Sequence, residues 1–206
     1  MNSISRMLKF LIGAICILVF SAVQAASISF VDRDNNNINL VDVEVPPFTV
    51  FGLALKINFS DNATSGGAID IPWDPGVIQY NDDFAFSPAF TSRDPSFDVI
   101  DFQSSGLLSI GFGTLSTAGI SDEIVIGTVH FTSGALGGTT LMSLKDSEKW
   151  SGFSGLSGGN SLVAAGDISV NYNATAVHVV PLPAAIWLMI SGVGILGFRS
   201  KWRKSG

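Results

Sequence analysis

Cysteine is all but missing: Cys16 is the single one in 206 residues, and it sits inside an N-terminal apolar run. That excludes an internal disulfide framework and a metal centre built from several thiolates. Histidine is nearly as scarce. With only His130 and His178 present, a hydroxyl–imidazole–carboxylate triad has just two bases to draw on. No His-Glu-x-x-His helix and no Gly-x-x-x-x-Gly-Lys-Ser/Thr phosphate loop occurs, and the Gly-x-Ser-x-Gly string at 155–159 falls within a Gly/Ser-rich turn cluster. Cations are few where acids are many. All 17 acidic residues lie between 26 and 178, with only Arg33, Lys56, Arg93, Lys145 and Lys149 against them, so this body carries −12. Such a surface repels phosphates, which argues against nucleic acid and anionic lipid as partners.

Long apolar runs are present at both ends. At the start, Arg6 and Lys9 precede an almost unbroken apolar stretch from Phe10 to Phe20, followed by Ser21-Ala22-Val23-Gln24-Ala25. Positive start, apolar centre and small residues describe a cleavable export signal over 1–25, cut between Ala25 and Ala26 by a signal peptidase. Ile15 is too bulky for a lipoprotein site at Cys16, so that residue belongs to the signal core. At the other end, Ser191 is the only polar side chain of its kind between Ala184 and Phe198, and Arg199, Lys201, Arg203 and Lys204 follow. With Val179 and Val180 the apolar stretch reaches about 20 residues, or about 30 Å as a helix, the thickness of a bilayer's hydrocarbon core. The terminal cations hold that end in the cytoplasm. Trp187 and Trp202 suit the two interfaces, and Pro183 suits a helix start.

Order and spacing in the tail, Val180-Pro181-Leu182-Pro183-Ala184-Ala185, then Trp187-Leu188, Ser191-Gly192, Gly194, Leu196-Gly197 and Arg199, resemble the PEP-CTERM sorting signal in its VPLPA-type variant. The resemblance covers residues 179–204. It implies processing by an exosortase, an integral membrane enzyme of Gram-negative bacteria, after a transient stay in the inner membrane. It also implies delivery to the cell surface or extracellular matrix and a link to exopolysaccharide or biofilm. Ala184 stands where the family's eponymous triplet has a glutamate, which leaves the scissile bond open.

The exported body, 26–176, reads as strands. Phe51, Leu53, Leu55, Ile57 and Phe59 alternate with Gly52, Ala54, Lys56, Asn58 and Ser60, the period of a half-buried strand. Glu123–Phe131 repeats the habit, predicting Val125, Val129 and Phe131 inward and Thr128 and His130 outward. Shorter strands are expected at 28–31, 38–45, 68–71, 99–102, 107–112, 139–144, 162–163 and 168–172. Turn clusters separate them at 34–37, 61–67, 74–76 and 152–159, and 173–179 reads as a linker to the tail. Fourteen of the acids are Asp, a turn-former, which fits loops between strands. The expected fold is all-β: an antiparallel jelly-roll-like β-sandwich, flanked by a signal peptide and one C-terminal transmembrane helix. Gly67 to Tyr80, with its Asp74-Pro75 turn, and Ile126 to Phe131 followed by Gly138 to Leu141 resemble the cohesin pattern. That resemblance spans about 40–150 and implies a nine-stranded sandwich that binds protein modules or polysaccharide-associated partners.

Chemistry-bearing residues are fewer. Asp32, Asp34 and Asn36 place oxygens at alternate positions, as a calcium loop does. Asn37 in place of the glycine and Val43 in place of the glutamate favour a solvated turn instead, and calcium stays open as a ligand. Asp82, Asp83, Asp94, Asp98 and Asp101 form a second acidic set. Phe84, Phe86, Phe90, Phe97 and Phe102 cluster as core rings or as a sugar platform, with Trp73 and Tyr80 the better stacking candidates. No cofactor and no catalytic residue is expected. The reading is an exported, non-enzymatic structural or adhesive protein, with a carbohydrate- or protein-binding module and a secreted polysaccharide hydrolase as alternatives.

Overall fold

Alternation in the 51–59 stretch holds in part: Leu53, Leu55 and Ile57 are buried in the strand around which the rest is arranged, and Phe59 is buried just beyond its end, but Ala54, expected outward, is buried as well. The structure is a computed structural model that describes residues 26–32, 38–157 and 160–181. In chain order the strands are β1 (Ala26–Val31), β2 (Asp42–Val45), β3 (Val50–Asn58), β4 (Thr64–Pro72), β5 (Ile78–Tyr80) and β6 (Ala85–Phe86). After a 3-10 turn at Pro95–Phe97 come β7 (Val99–Gln103), β8 (Leu107–Gly113), β9 (Glu123–Ser133), β10 (Gly138–Ser143) and β11 (Lys145–Asp146). The last four are β12 (Ser154–Ser157), β13 (Asn160–Asp167), β14 (Val170–Tyr172) and β15 (Ala174–Val179).

These strands form three sheets. The first runs β14-β1-β3-β9-β5, with β6 also on β9; the second runs β13-β12-β4-β8-β7, with β11 also on β4; a small third sheet is β10-β15-β2. Rings join the first two. Trp73, at the end of β4, meets Phe131 of β9 edge-on at 5.3 Å, and Phe153 lies 5.1 Å from Phe59 and 5.3 Å from Phe112. Phe30, Phe59, Phe131 and Phe153 are fully buried with Ile69, Ile71, Leu108 and Ile110. Each contributes about 1.5–3 kcal/mol of burial. In a body without cysteine, that core holds the fold.

Several expectations change. Two pairings, β1 with β14 and β2 with β15, are parallel, so the sandwich is mixed rather than wholly antiparallel. The stretch 173–179 is no linker. Thr175, Val177 and Val179 are buried in β15, which sits between β10 and β2, and its alternating apolar pattern was masked by its closeness to the tail. β4 begins at Thr64, inside the expected 61–67 turn, and β12 occupies part of the 152–159 turn. Glycine and serine there supply backbone for pairing, and composition alone reads them as turn. The expected strand at 38–45 shortens to β2. Val125 does not point inward. A bulge between Leu55 and Lys56 of β3 inserts Ile126, which is fully buried, and leaves Val125 opposite Lys56. One extra residue reverses the parity of everything beyond it.

The chain's two tyrosines report on this packing. Burial pushes the Tyr80 phenol up, and its oxygen accepts from the Phe84 backbone N–H. Burial pushes Tyr172 further up, helped by its hydrogen bond to Asp146, which ties β14 to β11. Folded values above the unfolded ones mean that both phenols stabilise the fold fully below about pH 10, and lose that contribution as pH climbs through the folded values. Alkaline absorbance titration is expected to show no phenolate step near pH ~10 while the protein stays folded. A step for both rings at that pH, with the fold intact, would contradict this packing.

Candidate functional site

The outer face of the second sheet combines exposed rings, a low glycine floor and charged pairs. Register sets its rows: Asp70 of β4 lies between Lys145 of β11 and Ser109 of β8, and Ser109 lies opposite Asp101 of β7. The next row brings Ala68, Gly111 and Val99 together, and beyond it Gly66 faces Gly113. Small residues make this part of the face low. Phe97, Val99 and Trp150 stand around it, enclosing a depression of about 220 Å³. Gly113 lets Phe97 lie close, because a Cβ there would sit 3.2 Å from the Phe97 Cβ and the ring would have to give way by a few tenths of an ångström. Phe97 is 43% and Trp150 44% exposed, so two rings face water on one side of a glycine floor.

Polar contacts fix the strap that carries Trp150. The Asp70 carboxylate, 3% exposed, accepts from Ser109 Oγ at 2.6 Å and from the Glu148 backbone N–H at 3.2 Å. Lys145 pairs with Glu148 at 2.6 Å, and Lys149 reaches across to Asp101 at 2.7 Å. The Lys149 ammonium also lies 4.8 Å from the Trp150 ring centre. The segment from Lys145 to Trp150 thus crosses the sheet face, pinned at a buried carboxylate. Electrostatically the face is mixed, with aromatic surface beside Lys–Asp and Lys–Glu pairs. It suits a protein surface with apolar anchors and a charged rim.

The residues expected to bind are spread apart. Asp83 lies 3.0 Å from His130 on the first sheet. Asp94 caps the 3-10 turn, where the Ser96 backbone N–H and then its hydroxyl hold the carboxyl below its usual range. Burial lifts Asp98 above the usual range, even with Arg93 at 2.5 Å, and Asp101 is taken by Lys149. The second acidic set therefore does not converge. Among the described residues no group of three or more His, Cys, Asp and Glu side chains is placed to hold a metal. Asp32 is described at the end of β1, while Asp34 and Asn36 lie outside the described residues. So do Ala25, the residues from Leu182 to Lys204 and the signal segment; Ala26 opens β1, and Val180 and Pro181 follow β15.

Trp73 is not a stacking platform. It is 7% exposed, stacked at 6.2 Å on Phe102, and plugs the core beside Tyr80. Phe84 and Phe90 are buried too, so of the five clustered rings Phe97 and Phe102 reach the surface most. Trp150 was missed by the sequence reading. Its signal was a bulky ring in the polar run Asp146-Ser147-Glu148-Lys149-Trp150-Ser151, a setting that a core residue does not favour. His178 sits on the third sheet, with Nδ1 2.9 Å from Thr139 Oγ1 and Nε2 3.3 Å from Asp42 Oδ1. This is a solvated cross-strand row on neighbouring strands.

No family model matches the chain, and no curated protein matches its sequence. Among solved structures it is similar to cohesin modules. The CaDoc0917–CaCohA2 complex, whose CaCohA2 comes from Clostridium acetobutylicum, matches at 13% identity and TM-score 0.55, over 76% of this chain and 100% of that one. The sixth cohesin of scaffoldin B from Acetivibrio cellulolyticus, solved with a Cel5 dockerin mutant, matches at 19% identity and TM-score 0.51, with the same coverage. The type I cohesin–dockerin complex Coh-OlpA–Doc918 from Clostridium thermocellum matches at 10% identity and TM-score 0.54, again over 76% and 100%. At these identities the likeness is one of fold: the body is a cohesin-like β-sandwich.

Replacing Asp70 by alanine removes the acceptor for Ser109 Oγ and for the Glu148 N–H. A loss of about 1–3 kcal/mol in urea unfolding is expected, the cost of stranding buried donors. Asp70→Asn, which keeps an acceptor oxygen, is expected to lose less.

Proposed function

We propose that this protein is an exported, non-catalytic, cohesin-like protein-binding module, displayed outside the inner membrane. The observation that carries the reading is the glycine-floored depression between Phe97, Val99 and Trp150 on the second sheet. It offers exposed rings on a rigid strand platform, with the charged strap at its edge. Rings on a rigid support, surrounded by polar groups that exclude water, are what a protein interface uses for most of its binding energy. The fold likeness supports the same reading, since solved cohesins of this fold are seen in complexes with dockerins. The partner of this chain is a protein module that places an apolar anchor in the depression and charges opposite Lys149, Asp101 and Glu148.

Export and sorting complete the proposal. A signal peptidase frees Ala26, the apolar segment from Ala184 to Phe198 stops in the membrane, and the cations from Arg199 to Lys204 stay inside. An exosortase-type enzyme then trims the tail and passes the body to the cell surface or extracellular matrix. The resemblance of residues 179–204 to the PEP-CTERM signal supports this step. Exopolysaccharide is the medium in which the module would work, in a structural or adhesive role.

Two measurements test these claims. For the interface, Trp150→Ala is expected to weaken a partner captured from the extracellular fraction about tenfold or more, as loss of a central ring does. The thermal midpoint should fall only slightly, because Trp150 is 44% exposed and lies outside the core; unchanged affinity would remove the face from the proposal. For sorting, intact-mass analysis of surface material is expected to give a chain beginning at Ala26 and ending before Gly206. A chain that keeps Gly206 would make the tail a permanent anchor.

A further inference from the structure

The two ends of the sandwich differ in chemistry. At one end Val45–Val50, Ser133–Gly137 and Val179–Pro181 are knit together. The Val180 N–H donates to the Val45 carbonyl at 3.0 Å, the Phe48 N–H to the Ser133 carbonyl at 3.2 Å, and Ser133 Oγ to the Pro46 carbonyl at 2.6 Å. Pro181 packs on Gly137, where a Cβ would meet its Cγ at 2.6 Å. From this junction apolar side chains project into water: Phe48 is 75% exposed, Val50 63%, Leu136 81% and Val180 45%. Phe48 is held in the left-handed region at φ 54°, a conformation that bulky residues avoid. That backbone keeps the ring on the outside rather than folded into the core.

Charge follows the same division. The body carries −12, yet residues 45–55, 133–144 and 175–181 contain no Asp, Glu, Lys or Arg. The rim carries Glu44 and Asp74, the latter accepting from the Gly76 N–H within its own turn, together with His178. An apolar patch with a polar rim marks a contact surface on a soluble domain. Carboxylates, which pay heavily to leave water, are kept away from it.

What covers the patch follows from where the chain goes next. Only Leu182 and Pro183 separate Pro181 from the apolar segment that starts at Ala184. Fully extended, that connection spans about 10–11 Å, whereas the headgroup layer on each side of a bilayer is about 5–7 Å thick. Because Val179 belongs to β15 and the Val180 N–H is bonded to the Val45 carbonyl, these two residues drop out of the span of about 20 expected from the sequence. As a helix, the fifteen residues from 184 to 198 would make about 22 Å, short of the hydrocarbon core of about 30 Å. Such a shortfall would draw the junction inward rather than let it stand off. The body has no slack with which to hold this end clear of the lipid.

We propose that the end of the sandwich bearing Phe48, Val50, Leu136 and Val180 is a lipid-contact surface, which seats the body upright on the bilayer holding its own tail. The proposal rests on the reading of residues 184–198 as a membrane span. The rings and aliphatic chains enter the headgroup–acyl boundary, where side chains of this kind sit about 5–10 Å deep. The binding face on the second sheet then points sideways, clear of the membrane, while the tail remains attached.

The test uses the full chain in lipid nanodiscs, in a Cys16→Ser background, with one fluorescent probe at a time on Leu136→Cys, Leu115→Cys or Leu188→Cys. Leu115 is 56% exposed at the opposite end, next to Thr114, which bonds to Ser65 near the start of β4. Lipids with a headgroup nitroxide serve as quencher. The probe at 136 is expected to lose most of its emission and shift to the blue, and the probe at 115 to do neither. If 188 is quenched by acyl-chain nitroxides but 136 behaves like 115, the tail spans and the seating proposal falls. If 188 is not quenched, the membrane reading itself fails and takes the proposal with it. A blue shift at 136 without lipid quenching means that protein, such as a second copy, covers this end, which also overturns it.

Discussion

Closure of one sheet on another around a shared set of rings is the constraint on which this molecule depends. Phe131 and Trp73 lock one end of the interior, and Phe59, Phe153 and Phe112 lock it toward the other. With no cysteine between residues 26 and 178, apolar burial carries the free energy that cross-links supply in many secreted domains. The floor of the depression sits on strands whose inner faces belong to that core. Asp70 and Ser109 alternate with Ile69, Ile71, Leu108 and Ile110 along β4 and β8, so a change in register would empty the core and dismantle the outer face together.

The second consequence concerns chain order. β15 is the last strand, yet it lies between β10 and β2, with Val177 and Val179 buried. The last described residues, Val180 and Pro181, therefore leave from inside a sheet rather than from a loose end. β15 is held by an antiparallel neighbour on one side and a parallel one on the other. On the reading of the tail as a membrane span, a pull on it would load the backbone hydrogen bonds along β15.

Some of this was legible in the residues and some was not. The β3 pattern was plain, because one face packs on the core and the other meets water, so polarity follows the pleat. β15 was hidden by its neighbours: a short strand beside a long apolar tail has no contrast against which to be seen. Val125 was misread because the bulge at Ile126 changes parity, and no local pattern announces a bulge. The acidic residues looked like one cluster and turned out to serve separate partners, since contact with His130 and ion pairing with Arg93 and Lys149 depend on which strands become neighbours. Trp150 lay unnoticed in a charged run, because its partners on the sheet floor come from β4 and β8, well away in sequence.

By itself the sequence determined the class of the molecule as all-β, from its period of two, and the acidity of its body, from the placement of its charges. These are properties of composition and local order, which act wherever the chain is. Only the tertiary structure decided which rings reach water, which carboxylates find a cation, and that the final strand lies within a sheet beside an acid-free apolar end. Those outcomes come from pairings between residues far apart along the chain. Register and packing choose such pairings, and no local stretch contains them.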